Sequence, residues 1–182
     1  MNYYINQTGR TIYFHILGEK LYGKFYIFSK QGRLGIQSHR YEIIIFPLYD
    51  AIKPAFDQHF WGKTENRWRL YNFKNRQIGS HSFQRVEPYN LEFAAVSTSG
   101  KSWGFINRNG MMVITPEFHS GNYLGLDYFA VSVIKCGRPC FGVTDSSGNI
   151  IIPFSLSVKP TFSDTVLYLL NKRKPLREWL KL

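Results

Sequence analysis

The side chains best placed for chemistry in this sequence are cations that follow turns. Arg33, Arg67, Lys101 and Arg138 stand directly after Gly32, Asn66, Gly100 and Gly137. If the segments carrying them lie in register, the four form a ladder of charge along one edge. Arg69, Lys74, Arg76 and Arg85 add charge near the second turn, beside Trp68, Tyr71 and Phe73. Single-stranded nucleic-acid grooves interleave cations for phosphate with ring faces for stacked bases. The plainer reading is that a cation after a turn is ordinary exposed hairpin chemistry and the aromatics belong to a core. The formal net charge of +11 fits either a polyanionic partner or simple solubility.

Other chemistries find less support. Cys136 and Cys140 bracket a turn, but a metal centre needs about four ligands and no second pair is nearby. They read as two buried or half-buried thiols, or as a pair facing each other across a hairpin. The histidines His15, His39, His59, His81 and His119 share no repeat position, and the 12 acidic residues are scattered. No phosphate loop, dinucleotide-binding loop or nucleophile elbow occurs. The expectation is therefore no catalytic residue, no metal and no cofactor. An enzyme with a site assembled between units is the weakest reading.

The elements that must position the cations are copies of one unit. Each opens on an aromatic, at Phe25, Phe60, Phe93 and Phe129, about 35 residues apart, a period that signals a repeat architecture. After the turn and its cation comes a glycine between apolar residues, Leu34-Gly35-Ile36, Trp103-Gly104-Phe105 and Phe141-Gly142-Val143. An apolar run with a proline follows, at Pro47, Pro116 and Pro153. The second unit is degenerate, with Trp68-Arg69-Leu70 and no such proline. Alternation such as Phe129, Val131, Val133 marks half-buried strands. Asn109-Gly110 between apolar runs marks a hairpin. Glycines inside strands point to a bulge or to close backbone approach under the Trp103 or Phe141 ring, and the prolines to strand ends or edges.

The expected organisation is an N-terminal cap over residues 1–24 and a repeat domain over 25–159, with units near 25–59, 60–92, 93–128 and 129–159. A helical cap follows over 160–182. The N-terminal cap reads as strands at Tyr3 to Asn6 and Thr11 to Leu17, with turns at Thr8-Gly9 and at Gly18-Glu19-Lys20. The helical cap starts at Ser163 or Asp164 as N-cap. A second short helix from Pro175 places Leu176, Trp179 and Leu180 on one face, able to cover the open end or dock a partner.

Residues 100–118, with Trp103-Gly104 and the ending Pro116-Glu117-Phe118, resemble the WG-repeat family of short bacterial β repeats. Residues 129–154 are similar with Phe141 in place of the tryptophan. Residues 32–50 are similar with Leu34 there and the ending Pro47, Tyr49, Asp50. The resemblance implies β repeats that bind or scaffold, with no common reaction and no catalytic residue. Taken with the residues, it gives an all-β fold: four three-stranded repeats stacked as a short curved solenoid or partial barrel. The expected function is a non-catalytic module that binds a protein within a larger bacterial assembly. The alternative is an accessory RNA- or DNA-binding protein. No signal peptide and no membrane-spanning run is evident, so the cytoplasm is the expected location.

Overall fold

The computed structural model describes residues 2–5, 11–22 and 24–170. Four antiparallel sheets follow one another along the chain. The first holds β1 (Asn2–Ile5), β2 (Thr11–Tyr22), β3 (Phe25–Lys30), β4 (Arg33–Ser38) and β5 (Ile43–Tyr49). The second holds β6 (Ala51–Pro54), β7 (His59–Thr64) and β8 (Arg67–Asn72). The third holds β9 (Arg85–Val86), β10 (Phe93–Ser97), β11 (Trp103–Asn107) and β12 (Met112–Phe118). The fourth holds β13 (Ser120–Gly125), β14 (Tyr128–Lys135), β15 (Arg138–Asp145) and β16 (Ile150–Leu156), and helix α1 (Phe162–Leu170) closes the described chain. The described residues are all-β apart from that helix, and their sheets do not close into a barrel.

The units carry a strand ahead of the aromatic one, beyond the three expected. In the last two sheets, β9 and β13 pair ahead of the aromatic strand, and β6 does so in the second. Pro54, and Gly121 with Asn122 and Gly125, hide these strands from an alternation test. β6 and β13 pair because the chain runs from one sheet's edge into the next with a single residue between, Asp50 or His119. The second sheet lacks a regular last strand; isolated bridges Trp68 to Phe83 and Tyr71 to Gln77 stand in for it. Gly18–Lys20, expected to turn, lies within β2 as a register irregularity. The expected Thr8-Gly9 turn lies outside the described residues.

Two kinds of turn recur. Gln31-Gly32, Glu65-Asn66 and Cys136-Gly137 are two-residue hairpin loops with both φ positive, 52° and 77°, 51° and 59°, 49° and 74°. This is the hairpin turn that matches strand twist. At the other end of each unit, one side chain organises the loop by accepting two amides. Ser38 Oγ takes the N–H groups of Arg40 and Glu42. Asn72 Oδ1 takes those of Lys74 and Arg76, Asn107 Oδ1 those of Asn109 and Met111, and Asp145 Oδ1 those of Ser147 and Asn149. These are Asx- and Ser-type turns. Burial raises the Asp145 pKa, but the bonds from Asn149, Ser147 and Gly148 outweigh it and hold the carboxyl below its usual range.

The in-strand glycines have one cause. Register shifts on the following strand bring its backbone across Gly35, Gly104 and Gly142. A Cβ on Gly35 would lie 2.5 Å from the Ile45 carbonyl oxygen, and one on Gly142 2.6 Å from that of Ile152. At Gly104 it would strike the Ile114 carbonyl and the Pro116 nitrogen. The bulge and close approach are as expected, but the nearby rings are Phe28 at Gly35 and Phe154 at Gly142, not Trp103 or Phe141. Pro47, Pro116 and Pro153 lie inside edge strands β5, β12 and β16 rather than ending them. An edge strand can spare a donor.

Cross-strand register builds one apolar row per sheet: Ile27–Ile36–Ile45, Trp61–Leu70, Ala95–Phe105–Ile114 and Ala130–Val143–Ile152. The first three rows each face the next sheet. The Ile27 row meets Ile52 and Phe60, the Trp61 row meets Val86, Ala94, Val96 and Ile106, and the Phe105 row meets Tyr123, Phe129 and Val131. Neighbours Phe60 and Trp61, or Ala94 and Ala95, thus serve different cores because a strand's side chains alternate faces.

Thr161 caps α1. Its Oγ1 accepts the Asp164 N–H at 3.2 Å, while the Asp164 carboxylate accepts the Thr161 N–H and O–H, both at 2.7 Å. This reciprocal capping box puts Asp164 at the third helical position, so neither it nor Ser163 is the N-cap. Those bonds also hold the Asp164 carboxyl below its usual range. Leu176, Trp179 and Leu180 lie outside the described residues.

Candidate functional site

Arg33, Arg67 and Arg138 each open a strand after a two-residue hairpin loop, whereas Lys101 lies in the longer loop between β10 and β11, and the environments of the four differ. Arg33 forms an ion pair with Asp50, both half exposed. Arg67 is half-buried and donates to the Thr98 carbonyl at 2.7 Å and to Ser82 Oγ and O at 3.4 Å, bolting the second sheet to the third. Lys101 and Arg138 are exposed, without a side-chain partner among the described residues. Arg69 donates to Thr64 Oγ1 at 3.0 Å, and Lys74, Arg76 and Arg85 are exposed. Trp68 is buried between Lys53 and Lys63, whose ammonium groups lie 5.0 and 5.8 Å from its ring centre. Its faces are not open to a base.

Cys136 is exposed within its turn, against the expectation of burial, because a two-residue hairpin loop projects away from the sheet. Cys140 is half-buried on β15 opposite Val133, so the thiols are not cross-strand partners. His59 stacks on Phe56 at 4.3 Å; burial lowers its pKa, with the Arg108 charge adding to the effect. His39, His81 and His119 are exposed in separate loops. No group of three or more metal-binding side chains occurs among the described residues. No described helix is long and apolar enough to cross a membrane.

Two features that sequence reasoning missed lie together where the third and fourth sheets meet. The first is a pair of leucines in left-handed backbone. Leu91, φ 54°, is 65% exposed, and Leu126, φ 46°, is 74% exposed. A bulky side chain at positive φ is an outlier, costing about 1–2 kcal/mol. Both line one open cleft of about 670 Å³ with Phe93, Arg108 and Tyr123. Their neighbours hold the strain in place. Arg108 donates twice to the Leu91 carbonyl, at 3.1 and 3.0 Å, while its guanidinium sits 5.1 Å over Phe56. Asp127, next to Leu126, accepts the Ser146 hydroxyl at 2.6 Å. The sequence signal available was a leucine in each short link where turn chemistry favours asparagine or glycine.

The second is a cleft of about 410 Å³ floored by Ala95 and Phe105 and walled by Phe93, Trp103 and Tyr123, with Glu87, Asn90 and Asn122 among its lining residues. Its space comes from small residues. Ala95 holds the row position that Trp61 holds in the second sheet, and Gly121 gives way to the Phe105 ring, which a Cβ there would meet at 2.6 Å. Phe93 and Tyr123 wall both clefts.

A family model described as WG containing repeat matches residues 103–121. That segment spans β11, β12 and the start of β13, and supplies Trp103, Phe105 and Gly121 to the cleft. No curated protein matches the chain. That one unit of the chain is similar to the WG-containing repeat.

Proposed function

We propose that this chain is a non-catalytic module that docks a protein partner on the junction of its third and fourth sheets. The observation that carries the reading is the pair Leu91 and Leu126, two exposed apolar side chains held in strained backbone. Strain of this kind persists only where surrounding structure enforces it, and it concentrates at functional positions. The scaffold behind it is read as a short curved solenoid, a form that three successive inter-sheet cores support. The nucleic-acid reading is weaker, since Arg33 and Arg67 already have protein partners.

The test compares wild-type chain with the Leu91→Asn/Leu126→Asn double variant as bait in extract from its own cells. The expected result is a protein retained by the wild type and lost by the variant, at equal or higher bait stability. An identical retained set would overturn the reading. Recovery of nucleic acid alone, released by salt and insensitive to the variant, would replace it with the basic turn end.

A further inference from the structure

The cleft floored by Ala95 is more selective than a greasy slot, because it presents three unengaged side-chain acceptors, one of them charged. Asn90 Nδ2 donates to the Tyr123 carbonyl at 2.8 Å, and Asn122 Nδ2 donates to the same oxygen at 3.3 Å. One N–H of each amide is thereby used, and both Oδ1 acceptors are left over. The Ser120 hydroxyl is engaged with that of Ser132 at 2.7 Å. Glu87 reaches the cleft by register: its N–H bonds the Ala95 carbonyl, and Ala95 pairs with Phe105, so Glu87, Ala95 and Phe105 form one row on the face toward the fourth sheet. Its carboxylate has no hydrogen-bond or ion-pair partner among the described residues, in a chain whose cations outnumber its anions 23 to 12. Arg85, two residues back on the same strand, forms no ion pair with it and lies outside the cleft lining. The remaining side-chain donors are the Trp103 indole N–H and the second N–H of each amide.

Three acceptors, one of them charged, set among aromatic walls complement a group that carries several donors, no acceptor and a flat face. Among side chains that is arginine: five N–H groups in a planar cation that stacks on rings and forks onto carboxylates. We propose that this cleft takes the guanidinium of an arginine presented by an extended segment of the protein partner, paired with Glu87 and stacked against Trp103 or Phe93. The proposal rests on the docking reading above and gives the partner its chemistry, since Phe93 and Tyr123 make the cleft continuous with the Leu91 and Leu126 surface.

The test is a titration of the full chain, isotope-labelled, with acetyl-Gly-Arg-Gly-amide and its lysine and citrulline counterparts, followed by NMR. The expected result is shifts at the Ala95 and Asn122 amides and the Trp103 indole, with the arginine peptide about tenfold tighter than the citrulline peptide, as a charge-assisted pair predicts. Lysine should fall between. Glu87→Gln should erase the arginine preference, and Ala95→Leu, which fills the floor, should abolish binding while the spectrum stays folded. Equal affinities for arginine and citrulline, a lysine peptide binding as tightly, or an arginine preference that survives Glu87→Gln would each overturn the proposal. The short peptide cannot span to Leu91 and Leu126, so its failure would leave the double-variant result standing.

Discussion

Replacing Leu126 with asparagine removes an exposed apolar side chain and relieves its backbone, so the structure predicts a more stable protein. At φ 46° a leucine sits about 1–2 kcal/mol above its right-handed alternatives, whereas asparagine tolerates this region. The burial surrendered is small. With 74% of the residue exposed, only about a quarter of the roughly 2 kcal/mol available from burying a leucine is at stake, about 0.5 kcal/mol. The balance is a gain of about 0.5–1.5 kcal/mol, or about 1–6 °C in Tm for a chain of this size. Glycine relieves the same strain but adds freedom to the unfolded chain, so Leu126→Gly should fall near zero. Leu126→Ile should lose stability, because branching at Cβ worsens the left-handed fit. Thermal and urea unfolding of the three variants read this order directly. A Tm for Leu126→Asn more than about 2 °C below wild type would refute the reasoning, since it would mean that the side chain contributes more to the fold than its conformation costs.

Two further perturbations probe the fold itself. Gly104→Ala should cost about 1–3 kcal/mol, the scale of overpacking, because its Cβ meets the Ile114 carbonyl and the Pro116 nitrogen rather than a movable side-chain tip; urea denaturation reads it, and an unchanged midpoint would discard the close-approach account of this glycine. His59, whose pKa burial depresses, takes up a proton less readily folded than unfolded, so its contribution is present above the unfolded value of about 6.5 and is lost as pH falls toward the lower folded value. Between pH 7.5 and 5 the Tm should decline in wild type and decline less in His59→Phe, which keeps a ring against Phe56; equal slopes would remove His59 as the cause.

The repeat was legible because its strongest signals are local. A turn pair such as Gly32-Arg33 or Gly137-Arg138 marks a hairpin without knowledge of the rest of the chain, and the in-strand glycines recur wherever the following strand bulges. The lead-in strands were hidden for the opposite reason. Residues 51–54 and 120–125 pair because of where the preceding edge strand delivers the chain, and nothing in their own alternation records that. Likewise, the motif placed Arg33 and Arg67 at equivalent turns, but Asp50 and Thr98, which engage them, are set by sheet-to-sheet packing. The cleft was beyond reach for a related reason: alanine at 95 becomes meaningful only once register aligns it with Trp61 in the neighbouring sheet. Leu91 and Leu126 are single letters whose significance is a dihedral angle.

The partition of the interior into three cores sets how the molecule comes apart. Among the described residues, the second and third sheets are each gripped on both faces, while the first and fourth share an inter-sheet core on one face only. Opening therefore proceeds inward from the ends, and the Arg67 bolt from the β7–β8 turn to Thr98 lies across the last junction to yield. Amide protons along β7, β8, β10 and β11 should therefore be the slowest to reach water. The proposed docking surface, at the junction of the third and fourth sheets, would lose its outer half as soon as the fourth sheet detached. A partner that bridged that junction would be a brace as well as a ligand, and its departure would leave the C-terminal sheet the first to fray.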